Sequence, residues 1–324
     1  MNTQQIKQYL IRSQSIIALL LMCIVLSFLS DSFLSSENAW NVMRQISVNV
    51  IISVGMTLVI LTGGIDLSVG SILALSGALS AGMLKFGTEI TDMNLFIGFS
   101  LVGALIGGTL SGTLLGWFNG LTITRFKVPP FVATLAMLTI ARGLTMLLTG
   151  GFPITSLGDQ MAFIGTGWFL GIPMPVWISA MIVVAAIVLT KKTTLGRHIY
   201  AIGGNETAAA LSGIKIRKVK MTVYAIAGAL AGIGGIIVTS RLDSAQPNAG
   251  FGFELDSIAA VVIGGTSLSG GKGTIMGTVQ GALIIGILNN GLVLLNVSPF
   301  WQQVIKGFVI LLAVVIEKIN SREE

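Results

Sequence analysis

Apolar residues run along the chain in blocks of roughly 15 to 25, the length a helix needs to cross a ~30 Å hydrocarbon core. The blocks fall near 14–32, 46–62, 67–84, 95–119, 129–149, 172–190, 221–240, 256–271, 275–295 and 300–317. The pattern therefore predicts an all-α polytopic membrane protein of about ten transmembrane helices. Residues 1–324 form a single transmembrane domain on this reading. Short connectors separate the blocks, and the one spanning residues 191–220 is the longest on its side.

If the spans alternate from a cytoplasmic N-terminus, most of the 19 Lys and Arg residues fall on the cytoplasmic side. Arg125, Lys127, Lys191, Lys192, Arg197, Lys215, Arg217, Lys218, Lys220 and Lys272 are among them. The outer connectors collect acids, including Asp159, Asp243, Glu254 and Asp256. This is the bias of the positive-inside rule, and it predicts that both termini are cytoplasmic. Lys7 and Arg12 precede the first apolar block, and no small-residue cleavage site follows it, so the block reads as an uncleaved first span.

Composition agrees: 53% of residues are hydrophobic and 10% charged, against about 25% charged in soluble domains. The net charge of +6 lies in the connectors without interleaved aromatics, which points to membrane topology and away from nucleic acid. One cysteine, Cys23, excludes a disulfide framework. His198 is the only histidine and has no partner residues for a metal site nearby in sequence. TSLSGGKG (266–273) imitates a phosphate-binding loop but has Thr266 and Gly273 where that loop needs Gly and Ser/Thr. The chain is not expected to bind ATP or any other cofactor by that route.

Two segments carry more information. In LTGGIDLSVGS (61–71), Gly63 and Gly64 end one helix, and Asp66 stands where it can cap the next by accepting the amide of Ser68 or Val69. A weak echo follows at LDSIAAVVIGGTSLSGG from Leu255, where Asp256 again precedes a short Gly- and Ser-rich run. Paired interrupted segments of this kind mark substrate paths in some transporters. Asp66, Ser68, Ser71, Asn289 and Asn290 are the candidate polar lining of such a path, with capping and helix–helix bonding as the alternative. In the connector 191–220, Asn205 can cap a two-turn helix ETAAALS with Glu206 in its first turn and Gly213 as its stop. That surface suits a soluble partner.

VGMTLVILTGGIDLSVGS (54–71), YAIGGNETAAALSGI (200–214) and SAQPNAGFGFELDSIAAVVIGGTSLSGGKG (244–273) together resemble the permease subunits of bacterial ABC importers for monosaccharides, ribose importers above all. The resemblance covers nearly the whole chain. It implies a permease working as a pair, with a second, identical subunit, in the bacterial inner membrane. It also implies a cytoplasmic ATPase partner that uses ATP and Mg, and a periplasmic sugar-binding protein that delivers the sugar. The short helix would be the coupling helix, carried by Asn205, Glu206, Ala208, Ala209, Leu211, Gly213 and Ile214. Ribose is the sugar implied, with galactose, xylose, arabinose or a furanosyl signal molecule as alternatives. A secondary transporter would instead need mid-span ionisable relays; Arg142 and Lys306 are the clear intramembrane candidates, and both are expected to reach towards the outer interface. A membrane enzyme would need His/Asp/Glu clusters or a Ser/Lys pair, which the spans lack.

Overall fold

The computed structural model describes residues 17–90 and 95–320. The basic start at Lys7 and Arg12, and Arg322, lie outside the described residues. The helices are α1 (Ile17–Leu29), α2 (Ser36–Leu61), α3 (Val69–Phe86), α4 (Leu101–Arg125), α5 (Pro130–Thr149), α6 (Asp159–Thr166), α7 (Met174–Lys192), α8 (Thr194–Gly204), α9 (Glu206–Leu211), α10 (Ile216–Arg241), α11 (Phe253–Ile263), α12 (Ile275–Leu294) and α13 (Pro299–Asn320). Among the described residues, seven are long and apolar enough to cross a membrane: α2, α3, α4, α5, α7, α10 and α12.

The centre is α2. Every residue from Ile46 to Leu61 is buried, as a helix apolar on all sides requires. α7, α10, α11 and α12 pack around it, while α4, α5 and the outer side of α7 show broad apolar faces outward. Such faces meet lipid or another membrane chain.

Glycine brings the helices close where lipid supplies no hydrophobic drive to associate. Gly108, Gly112 and Gly116 of α4 lie against Gly228 and Gly232 of α10; a Cβ on Gly112 would strike the Gly228 carbonyl, and one on Gly228 the Gly112 carbonyl. Hydroxyls add cross-links: Thr57 of α2 bonds Thr278 of α12 at 2.7 Å, and Ser76 of α3 bonds Ser111 of α4 at 3.2 Å.

The two ends differ. One gathers the last turns of α2, α4 and α7, α8, α9, the first turn of α10 and the loop 264–274, and is rich in Lys and Arg. The other carries α6 and three short antiparallel pairings, of which Ile154–Thr155 with Ser244–Ala245 ties the α5–α6 loop to the end of α10. Trp40 and Trp168 meet edge to face there at 5.2 Å, with the Arg44 guanidinium 4.9 Å from the Trp168 ring.

Two expectations need correction. The run 256–271 is not a full span: α11 starts at Phe253 and stops at Ile263, and residues 264–274 are a loop with positive φ at Gly265, Gly270, Gly271 and Gly273. Averaged hydropathy counted glycines as apolar, although four left-handed backbones cannot continue a helix. The connector 191–220 is not one helix between loops either. α8 fills residues 194–204, capped by Thr193 accepting the Gly196 amide at 3.1 Å, and α10 already begins at Ile216. Its signal was present in Leu195, Ile199 and Ile202, an apolar stripe at helical spacing.

Candidate functional site

At the basic end, α8 and α9 form a helical hairpin. The Asn205 side chain accepts the Ala208 amide at 2.9 Å, closing the start of α9. At its other end Gly213 takes φ 84°, the Gly213 amide donates to Ala210 and the Ile214 amide to Ala209. This double bond with a left-handed glycine satisfies the last carbonyls of a very short helix. Glu206 pairs with Lys220 of α10 at 2.7 Å, a surface pair worth no more than about 1 kcal/mol. Ala209 is buried, and Leu211 is 85% exposed. An apolar side chain held so far out on a capped helix, among basic residues, has no packing role within this chain.

α8 connects that helix to the interior. A Cβ on Gly203 would strike the Leu61 carbonyl at the end of α2 and the Gly271 amide. The Gly271 amide itself donates to Leu61 at 3.1 Å, Gly270 abuts Gly63, and the Tyr200 hydroxyl donates to the Gly273 carbonyl at 2.8 Å. Burial raises the Tyr200 phenol above its ordinary value, which keeps it a donor. α8, the break after α2 and the glycine loop before α12 thus meet backbone to backbone.

Beyond Gly63 the chain runs into the interior. Asp66 is 0% exposed and accepts both the amide of Ser68, at 2.9 Å, and its hydroxyl, at 2.5 Å. Asn119 of α4 donates to the Ser68 hydroxyl at 2.9 Å, and Ser71 donates to the Ser68 carbonyl at 2.8 Å. Thr134 of α5 and Tyr224 of α10 both reach the Ile65 carbonyl, at 3.3 and 3.4 Å. The other Asp66 oxygen, Oδ2, has no partner among the described residues. The break is therefore a packed polar knot joining α3, α4, α5 and α10.

α11 starts inside the protein too. The chain leaves the far end at the short strand Ser244–Ala245, dips inward, and turns at Gly250 and Gly252, both with positive φ. Gly250 rests on Gly70 in the first turn of α3, where a Cβ would strike its carbonyl and come 2.5 Å from Glu254 Oε2. α3 runs from this point to the far end and α11 from the same point to the basic end. Two helix starts thus face each other in the interior, the arrangement of discontinuous helices in transporters.

Charges expected at the outer interface lie here instead. The Arg142 guanidinium donates to the carbonyls of Pro247 at 2.6 Å and Ala249 at 2.9 Å. Lys306 of α13 pairs with Asp256 of α11 at 3.0 Å, and Asn289 of α12 donates to the same carboxylate at 3.3 Å. Neither cation reaches for the interface, and Glu254 and Asp256 are not in an outer connector: Arg142, Lys306 and Asp256 each have a partner in the interior, as charges held within a membrane do. Asn290 exchanges bonds with Asn38 of α2 at 2.8 and 3.1 Å.

The five polar candidates thus fall into two groups, Asp66, Ser68 and Ser71 at the α2–α3 break and Asn289 and Asn290 on α12. All five are buried within the chain. Arg142 stood out in the sequence as an ionisable residue inside an apolar run, but its partners at Pro247 and Ala249 did not. Neither Asn119 nor the inward dip of residues 246–252 was marked by any local signal.

Residues 38–314 match the family described as the branched-chain amino acid transport system / permease component, and the chain belongs to that family of membrane permeases. It is 50% identical to the ribose import permease protein of Haemophilus influenzae, over 96% of this chain and 94% of that one. It is 53% identical to the ribose import permease protein of Bacillus subtilis, over 94% and 92%, and 34% identical to the xylose transport system permease protein of H. influenzae, over 96% and 97%. No solved structure matches it significantly.

Proposed function

We propose that this chain is the membrane permease subunit of an ATP-driven importer that carries ribose into the cytoplasm. Half-identity to ribose import permeases over nearly the whole length supports the substrate. The observation that carries the mechanism is the α8–α9 hairpin, with its exposed Leu211 and its backbone contact to the α2–α3 break. The basic end is cytoplasmic on this reading, by the positive-inside rule, and the membrane is the bacterial inner membrane with both termini inside. A cytoplasmic ATPase seats α9, a binding protein delivers sugar at the far end, and a second copy of the chain completes the path.

ATP binding acts only through a difference in affinity for the inward- and outward-open states. Closure of the ATPase displaces α9; α8 passes the movement to Leu61, Gly63 and Gly271, where both interrupted helices are anchored. Asp66, Ser68 and Ser71 bond to one another and to neighbouring helices, so their role is to hold the break, not to touch sugar. Asn289 and Asn290 do the same for α11 and α2.

The test is reconstitution in proteoliposomes with the cognate ATPase and binding protein. ATP-dependent ribose uptake is expected, lost in the absence of ATP. Uptake that persists without ATP would instead favour an ion-coupled carrier, for which the interior Lys306–Asp256 pair is the obvious relay.

A further inference from the structure

The inward-dipping hairpin between the strand Ser244–Ala245 and α11 carries side chains that its depth does not explain. Arg142, which holds the carbonyls of Pro247 and Ala249, lies about 18 Å along α5 from its first residue and about 10 Å from its last, at 1.5 Å rise per residue. Gly70, on which Gly250 rests, is about 24 Å from the far end of α3 on the same count. The hairpin therefore lies well within the ~30 Å apolar layer.

Pro247 and Gly250 are buried, but Gln246 and Asn248 are exposed and Phe251 is 75% exposed. The amides of Gln246 and Asn248 bond no group among the described residues. Free amides at this depth cannot face hydrocarbon without losing every hydrogen bond, so the face they occupy is wet or covered by something polar. The neighbouring backbone is fixed by Arg142, which makes the hairpin a held surface and not a loose one.

Resting on the permease reading above, we propose that this hairpin is the carbohydrate-contacting element of the translocation path. Gln246 and Asn248 bond sugar hydroxyls as both donors and acceptors, and the Phe251 ring lies against the C–H face of the sugar. Two neutral amides and one ring make a weak site, suited to a solute that must also leave.

Cys23 is the only cysteine, so a Cys23→Ser chain gives a silent background. Gln246→Cys, Asn248→Cys and Phe251→Cys are introduced one at a time, with Leu110→Cys on the apolar face of α4 as the lipid-facing control. A charged, membrane-impermeant methanethiosulfonate is expected to modify the hairpin positions and not Leu110→Cys, and ribose at saturating concentration in the assembled importer is expected to slow the modification. Asn248→Ala and Phe251→Ala are each expected to lower ribose uptake by about two- to tenfold, the range of one lost contact, at unchanged protein level. No modification at any hairpin position, with wild-type uptake intact, means that another chain covers the face and overturns the proposal. Modification with normal uptake in both alanine variants removes the sugar contact and overturns it as well. If the unaltered importer takes up no ribose with ATP, the permease reading fails first; that result is separable, because modification needs no transport.

Discussion

Two seams in this molecule hold helices together by opposite means. Between α4 and α10, glycine lies on glycine and carbonyls sit where side chains would be. Between α11 and α13, Lys306 pairs with Asp256 at 3.0 Å, with Asn289 as third partner. The first contact has one geometry, because backbone atoms in van der Waals contact cannot slide without collision. The second is made by long side chains that can keep a bond while their helices shift. Lipid permits both, since association there depends on packing and polar bonds and not on hydrophobic burial. If the helices move in transport, α3–α4–α10 is expected to travel as one piece, with the α11–α13 contact as the joint.

The largest effect should come from filling the rigid seam. Gly228→Leu places a side chain where the Gly112 carbonyl lies. The expected cost is at least ~3 kcal/mol, the top of the usual range for overpacking, because backbone must yield. Little folded protein should be recovered by size-exclusion in detergent, and normal recovery would show that the seam is not rigid. Next comes the joint. Lys306→Ala leaves a buried carboxylate without its cation, at a cost near ~3 kcal/mol; that is the low end of the range for broken buried pairs, since Lys306 is 28% exposed. Lys306→Met with Asp256→Leu should restore most of it in thermal unfolding, and transport by that double variant would read whether the pair matters to movement.

Two smaller changes address the basic end. Leu211→Asp touches nothing in this chain, so stability should stay within about 0.5 kcal/mol. ATP-driven uptake should fall at least about tenfold if Leu211 is an anchor in the ATPase; unchanged uptake would remove α9 from the coupling contact. Asn205→Ala should cost about 1 kcal/mol locally through the lost cap, seen as faster amide exchange in α9 with only partial loss of uptake.

What could be read beforehand follows a physical line. α9 was legible because its determinants are local: a cap, a first-turn acid and a terminal glycine all lie within ten or so residues. The nine helices beside α11 that answer to apolar blocks were legible from length and hydropathy alone. The end of α11 was not, because glycine and serine raise no barrier in a hydropathy average yet form a loop when their φ is positive. Nor were the partners of Arg142 and Lys306 legible. Each pairs with a segment more than forty residues away, and only the dip of residues 246–252 into the interior brings them together. The Asp66 knot fell between these cases: its bond to Ser68 is local, while its closure by Asn119 and Tyr224 is not.

Gly203 brings a further consequence. Its contacts with Leu61 and Gly271 are made by main-chain atoms on both sides, and main chain has no rotamers with which to absorb a push. A push at the α8–α9 hairpin is therefore expected to reach the break without a side chain rearranging to absorb it. A larger residue at Gly203 would act as a spacer, changing the resting position of the break even with no nucleotide in the partner.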